Sequence, residues 1–301
     1  MAGALIAIVG PTAVGKTAAG LALAERIGGE IVSDDSRCVY RHMDIGTAKP
    51  TPEERGRVPH HLIDLVDPDE EYSVARFLRD AEAAIGEIVA RGRRPIVVGG
   101  TGYWVRALLG GATSAEVPPD EALRAELATE PPEALAARLA ALDPAAAAAI
   151  DRRNPRRLIR AIEVVAATGR PFAEARRARP VAPAARLIGL TIARPALYER
   201  IDRRYDQMVA AGWLDEVRWL LARGYRRDLP SMSGLGYREI AAHLVGELSL
   251  DEALARAKAR CHRYARAQYG WFRLDDRRIA WVEAGPGADE RIERLVGERA
   301  E

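Results

Sequence analysis

The chain has few of the features that mark membrane, disulfide-framed or metal-cluster proteins. No stretch of its 301 residues approaches the roughly 20 consecutive apolar residues that a membrane span needs. Its first residues lack the charged-then-apolar pattern of a secretory signal. Two cysteines, Cys38 and Cys261, are too few for a disulfide framework or a zinc cluster. The five histidines show no metal-ligand spacing; His60 and His61 are adjacent, cannot share a helix face, and read as structural. There is no internal repeat, and no exposed heptad or long apolar face. The expectation is a cytoplasmic monomer. A net charge of +2, with 48% hydrophobic and 29% charged residues, fits an ordinary globular enzyme with a substantial core in one large or two smaller domains.

Against this plain background one segment stands out. Residues Gly10-Pro11-Thr12-Ala13-Val14-Gly15-Lys16-Thr17 follow an apolar run, Leu5 to Val9, and precede a helix-like one, Ala18 to Ile27. Strand, glycine-rich turn and helix form the context that the G-x-x-x-x-G-K-[ST] phosphate loop requires. Gly10 and Gly15 let the backbone curl so that its N–H groups converge on phosphate oxygens, and the helix adds its positive end. Lys16 supplies a point charge for the outer phosphates, and the Thr17 hydroxyl is a ligand for Mg²⁺. A chance glycine-rich turn is the alternative. The motif implies a pyrophosphate-bearing ligand without naming it.

Further apolar runs at 29–33, 95–99 and 187–192 read as buried parallel strands beside 4–9, with weaker candidates at 61–65 and 279–282. A helix is expected from the N-cap Ser73 to Gly92, with Val74, Phe77, Leu78, Ala81, Ile85 and Ile88 on one face. This alternation predicts an α/β fold, a phosphate-loop parallel sheet flanked by helices. It lapses over 114–183, where only helices are expected: Glu121 to Ala128, Pro132 to Leu142, Pro144 to Ile150 and Pro155 to Thr168. The expected organisation is a core of 1–113 and 184–301 interrupted by a helical insertion, 114–183. Residues 196–273 are again helical. Arginines crowd 152–160, 176–179, 203–204 and 256–278, as in phosphate-backbone binders or in a solvated basic surface.

Ligands of open α/β sheets bind beyond the carboxyl ends of the strands. There the chain delivers the phosphate loop, Asp34-Asp35-Ser36, and Gly99-Gly100-Thr101. A carboxylate beside such a loop can accept a proton from an attacking nucleophile or hold Mg²⁺. Strand alternation aims Asp34 and Asp35 at opposite sides, so one of them acts, unless both cap helices. Thr101 either caps the next helix or hydrogen-bonds a substrate. Asp67 reads as an outer magnesium ligand or, before Pro68, as a turn residue. Arg256, Arg260 and Arg263 share a helix face interleaved with Tyr264, Tyr269, Trp271 and Phe272, which suits either unstacked RNA bases or an amphipathic core helix. Two readings survive: a small-molecule kinase with an arginine-bearing lid, and a transferase whose loop holds a diphosphate leaving group and whose acceptor is RNA.

Beyond the loop at 10–17, the chain carries Asp35-Ser36-Arg37, Val39-Tyr40, Asp44-Ile45-Gly46-Thr47-Ala48-Lys49-Pro50 and Gly99-Gly100-Thr101-Gly102. It also carries Asn154-Pro155-Arg156-Arg157-Leu158 with Arg160-Ala161, Arg204, and Gly236-Tyr237-Arg238-Glu239. These strings make up, nearly end to end, a resemblance to the tRNA dimethylallyltransferase (isopentenyltransferase) family. It implies transfer of a dimethylallyl group from dimethylallyl diphosphate to N6 of the adenosine 3′ of the anticodon, with Mg²⁺. It also implies Asp35 as general base, Thr101 at the reacting centre, and Lys16, the loop amides, Thr17-bound Mg²⁺ and Arg204 on the leaving diphosphate. By the same resemblance the tRNA anticodon stem-loop is contacted by Asp35, Ser36, Arg37, Cys38, Thr101, Arg124, Arg156, Arg157, Leu158, Ile159 and Arg160. The further contacts are Ser233, Gly234, Leu235, Gly236, Tyr237 and Arg238, then Arg266, Gln268, Trp271 and Arg273. The acceptor base must be flipped out of its stack. The chain departs from the family at Cys38, where the family usually has glutamine or another residue, and at Ala267 and Gly270 within a stretch that usually reads close to K-R-Q-x-T-W. An enzyme prenylating free adenine nucleotides would have no use for the basic insertion, and an RNA-binding ATPase is a weaker third reading.

Overall fold

The computed structural model describes residues 5–110, 117–175 and 185–297. The chain divides into two compact units, residues 1–109 with 182–301, and residues 110–181. The expected boundaries at 113/114 and 183/184, and the arginines of 176–179, lie outside the described residues.

In the first unit β1 (Ile6–Val9), α1 (Lys16–Ile27), β2 (Gly29–Asp34), α2 (Pro52–Arg57), β3 (His60–His61), α3 (Val74–Ala90), β4 (Arg94–Gly99) and α4 (Gly102–Leu108) follow one another. The second unit holds α5 (Glu121–Leu127), α6 (Pro132–Leu142), α7 (Pro144–Ala149), α8 (Pro155–Thr168) and α9 (Phe172–Ala175). The first unit resumes with β5 (Arg186–Thr191), α10 (Arg194–Ala210), α11 (Trp213–Ala222), α12 (Tyr237–Leu244), α13 (Leu250–Trp271), β6 (Ile279–Glu283) and α14 (Ala288–Gly297).

The strands form one parallel sheet, ordered β3-β2-β4-β1-β5-β6. Its central strands are buried on both faces, which is why they read as unbroken apolar runs. Register aligns Asp34 with Gly99 and Ile8 with Val98, so the ends of β1, β2 and β4 lie level. The three loops beyond them therefore open on one side. The run at 61–65 is a strand only at His60–His61, paired with Ile31 and Val32. Leu62 (φ 64°) and Asp64 (φ 56°) turn left-handed and leave the sheet. The turn aims the Asp64 carboxylate at Lys49 Nζ, 2.6 Å away, and Arg55, 2.7 Å away.

Local chemistry sets the helix ends. Ser73 Oγ accepts the Arg76 N–H to start α3, and left-handed Gly28 ends α1. In the second unit Asn154 Oδ1 accepts the Arg157 N–H, with Pro155 filling the first helical position. That unit packs its own small core of Leu127, Leu135, Leu139, Leu158 and Ile162.

Candidate functional site

The phosphate loop curls as its glycines require. Gly10 (φ 142°), Ala13 (φ 63°) and Gly15 (φ 111°) all lie in the left-handed region. A side chain at Gly10 would also come within 2.5 Å of the Leu190 carbonyl oxygen. Gly15 caps α1 without a side-chain hydrogen bond, leaving first-turn amides of that helix to an anion. Lys16 Nζ folds back to donate to the Pro11 carbonyl at 2.8 Å. Burial lowers the Lys16 ammonium to about 8; the Asp35 charge opposes this and Arg204 adds to it.

Two cavities meet at this loop. The larger, of about 1010 Å³, is lined by Thr12, Ala13, Gly15, Lys16 and Thr17, by Cys38 and Lys49, and by Arg200, Arg203, Arg204 and Gln207 of α10. The smaller, of about 350 Å³, is lined by Ser36, Arg37, Ser233, Gly234, Leu235, Arg260 and Tyr264. Thr12, Ala13, Asp35, Thr47, Arg204 and Met208 belong to both linings. Gly10, Pro11 and Val14 line neither cavity and are buried behind the loop.

Of the two aspartates, Asp35 borders both cavities and accepts the Arg37 N–H at 2.8 Å. Asp34 is fully buried and accepts the Thr101 N–H at 3.0 Å. Burial, then the neighbouring Asp35 charge, pushes Asp34 well above the usual carboxylate range. Neither aspartate caps a helix. Thr101 occupies the N-cap of α4, yet its hydroxyl makes no cap; it accepts the Ser36 N–H at 3.2 Å. Thr101 lines neither cavity. Asp67 pairs with Arg41 at 3.2 Å in a turn held by Glu70, and borders neither cavity.

Several positions assigned to RNA contact by resemblance have other duties. Tyr237 is wholly buried and donates its hydroxyl to Glu216 at 2.7 Å, while Gly236 lies against Trp213. Leu158 belongs to the core of the second unit. Gln268 is 3% exposed and hydrogen-bonded at both ends of its amide. The Arg37 guanidinium is tied to the Pro230 carbonyl and Ser233 Oγ. Arg124 and Arg160 both grip the buried Glu163, and Arg160 also reaches the Val117 carbonyl at 3.0 Å. Cys38 lines the larger cavity alone, its thiol pushed well up by burial. Arg156, Arg157, Arg266, Trp271 and Arg273 are exposed; Ile159 and Arg238 are half-buried. Arg266 donates to the Tyr198 hydroxyl and Arg273 pairs with Asp275.

The D-I-G-T-A-K-P string has a physical cause in this site. Lys49, its side chain 1% exposed, donates to the Tyr40 carbonyl at 2.7 Å and pairs with Asp44 and Asp64. The N–H groups of Asp44, Ile45 and Gly46 converge on the Glu216 carboxylate at 2.7, 2.7 and 3.2 Å. Trp213 packs so closely on Gly46 that a Cβ there would lie 2.1 Å from the indole nitrogen. The string is thus a wall of the cleft, locked from behind. Sequence reasoning missed Arg200, which donates to the Val14 carbonyl at 3.1 Å, and Gln207. Their signal was present: Arg200, Arg203, Arg204 and Gln207 fall at i, i+3, i+4 and i+7 of one helix.

Comparison with known proteins matches the IPP transferase family model over residues 38–275 and an isopentenyl transferase model over residues 3–61. The tRNA dimethylallyltransferase of Roseiflexus sp. (strain RS-1) is 57% identical over 273 residues, covering 89% of this chain and 90% of its own. That of Roseiflexus castenholzii is 52% identical over 296 residues, 97% of each chain. Among solved structures, the tRNA isopentenylpyrophosphate transferase of Bacillus halodurans superposes with a TM-score of 0.72 at 42% identity, covering 97% of this chain and 95% of its own. A eukaryotic dimethylallyltransferase acting on tRNA gives a TM-score of 0.83 at 26% identity, covering 97% of this chain and 78% of its own.

Proposed function

The chain belongs to the IPP transferase family, and from that premise we propose that it transfers a dimethylallyl group from dimethylallyl diphosphate to N6 of the adenosine 3′ of the anticodon in tRNA. The observation that carries the proposal is the pair of cavities that share Asp35 and Arg204. The larger cavity takes the donor, with its diphosphate on the amides of the phosphate loop and between the Lys16 and Arg204 charges. The smaller cavity takes the acceptor base. Extruding that base from the anticodon stack costs a few kcal/mol, offset by contacts to the RNA backbone; Tyr264 offers the extruded purine an aromatic face.

The bond from the allylic carbon to the diphosphate oxygen breaks as the bond to N6 forms, and the N6 proton passes to Asp35. Negative charge grows on the leaving diphosphate, where Lys16, Arg204 and oriented amides stabilise it most. Burial and the adjacent Asp35 charge both resist ionisation of Asp34. Thr101 holds the Ser36 amide and so steadies the loop carrying Asp35.

Mg²⁺ fits this donor set. Thr17 offers one exposed hydroxyl on the larger cavity, and no group of three metal-binding side chains occurs among the described residues. That suits an ion bound chiefly by substrate phosphates and water. When bound, it would neutralise part of the diphosphate charge. Exposed Arg266, Trp271 and Arg273 of the first unit are proposed contacts to the anticodon stem-loop, and so, taken separately, are exposed Arg156 and Arg157 of the second. No described helix is long and apolar enough to cross a membrane, and we assign the enzyme to the cytoplasm as a monomer.

The test is incubation with dimethylallyl diphosphate labelled in the allyl group and unmodified tRNA. Label should appear on the adenine 3′ of the anticodon. ATP-dependent phosphate transfer to a small acceptor, without label in RNA, would favour a kinase instead.

A further inference from the structure

Gln268 lies on α13, 256 positions after Thr12 in sequence, yet accepts the Thr12 N–H on Oε1 at 2.8 Å. Its Nε2 donates to the Gly100 carbonyl, also at 2.8 Å. One planar amide therefore bridges the phosphate loop and the turn after β4. The fit is tight: a Cβ at Gly100 would lie 2.4 Å from Gln268 Nε2, 3.2 Å from the Gly10 carbonyl and 3.3 Å from Lys16 Nζ. Trp271, three residues on, presses on Gly102, where a Cβ would come within 2.4 Å of its own. Thr101, between those glycines, holds the Asp34 carboxyl and the Ser36 amide on either side of Asp35.

The same helix borders the smaller cavity with Arg260, Cys261 and Tyr264. Gln268 follows Tyr264 by four residues, one turn further along that face. A single rigid element thus lines the acceptor cavity and, about 6 Å along its axis, grips the donor loop.

We propose that Gln268 is a positioning residue that registers the donor's phosphate loop against the acceptor cavity, rather than a contact to RNA. It directs the Thr12 N–H away from the ligand and fixes where the following amides point. This rests on the proposed prenyl transfer and deepens it: α13 aligns the two substrates.

The test compares the wild type with Gln268→Met and Gln268→Glu in the full chain. The readouts are KM for dimethylallyl diphosphate, kcat, and Kd for an anticodon stem-loop RNA. Methionine preserves shape and removes both hydrogen bonds; kcat/KM for the donor should fall about tenfold, the scale of about two lost neutral hydrogen bonds, while RNA Kd stays within twofold. The buried carboxylate introduced by Gln268→Glu would repel the Gly100 carbonyl, but once protonated it can accept from Thr12 and donate to Gly100 as the amide does. Activity of Gln268→Glu relative to wild type at the same pH should therefore recover as pH falls. An unchanged kcat/KM in Gln268→Met, or weaker RNA binding with unchanged donor kinetics, would overturn the proposal. If the methionine variant does not fold, the ratio for Gln268→Glu decides alone, and a pH-independent ratio overturns it. Wild-type transfer of label to tRNA is the separate control: its absence would sink the functional reading, whatever the variants do.

Discussion

In the proposed reaction Lys16 should make donor binding dependent on pH in a range where few other groups titrate. Burial lowers its ammonium from 10.5 to about 8. If the diphosphate is gripped by the charged form, Kd scales with the inverse of the protonated fraction. For a group at about 8 that fraction falls from ~0.9 at pH 7 to ~0.09 at pH 9, a tenfold weakening. The donor's own last phosphate proton leaves near pH ~6, below this window. Titration calorimetry with dimethylallyl diphosphate across pH 6.5–9.5, at constant ionic strength, reads the effect directly. Lys16→Arg, which does not titrate here, should flatten the profile. Folding carries the opposite sign. The folded value lies below the unfolded one, so the native chain binds fewer protons between about 8 and 10.5. The cost of burying the charge is present below pH 8 and is relieved as pH rises through that window. It amounts to at most about 3 kcal/mol, less for a side chain that is only partly buried. Lys16→Met should accordingly raise the melting temperature of the free enzyme at pH 7 by a few degrees, while abolishing tight donor binding. A donor Kd that is flat between pH 7 and 9 in the wild type would refute the argument.

Removing the Glu216 carboxylate in Glu216→Ala strands three backbone N–H groups and the Tyr237 hydroxyl. Urea unfolding should show a loss of about 3–5 kcal/mol; a loss under 1 would mean that the 44–50 loop is held by something else. Arg156→Ala and Arg157→Ala should each reduce the slope of log Kd for tRNA against log salt by about 1, with unfolding midpoints unchanged. Arg124→Ala should instead lower stability, because it leaves the buried Glu163 with one guanidinium fewer. Were Arg124→Ala to change the salt slope alone, its pairing with Glu163 would not be its main role.

How much of this was readable from residue order depends on the range of the interaction responsible. The curl at Gly10 and Gly15, the Ser73 cap and the Pro132–Leu142 and Pro155–Thr168 helices are set by neighbours within a turn, and the string shows them. The end of β3 was not readable, because Asp64 leaves the sheet to reach Lys49, fifteen residues back. The partners of Gln268 and Glu216 were illegible for the same reason: Thr12 and Gly100 lie 256 and 168 positions from Gln268, and residues 44–46 about 170 from Glu216. The arginines were misleading in a more instructive way. Arg160 has Glu163 one turn on, a visible neutralising partner, whereas Arg156 and Arg157 have no such acid and stay exposed. Tyr237 stood inside a segment matched to RNA contact, yet an aromatic beside left-handed Gly236 is as well suited to fill a core. The α10 stripe of Arg200, Arg204 and Gln207 was there to be counted and belongs to the cleft.

In the proposed reaction Asp35 receives the N6 proton at the boundary of the two cavities. Single-turnover transfer by Asp35→Asn, with donor and tRNA both saturating, measures that step alone. A rate lower by about 10²–10⁴, with Kd for each substrate within a few-fold of wild type, is the expected result. A single-turnover rate equal to that of the wild type would contradict it.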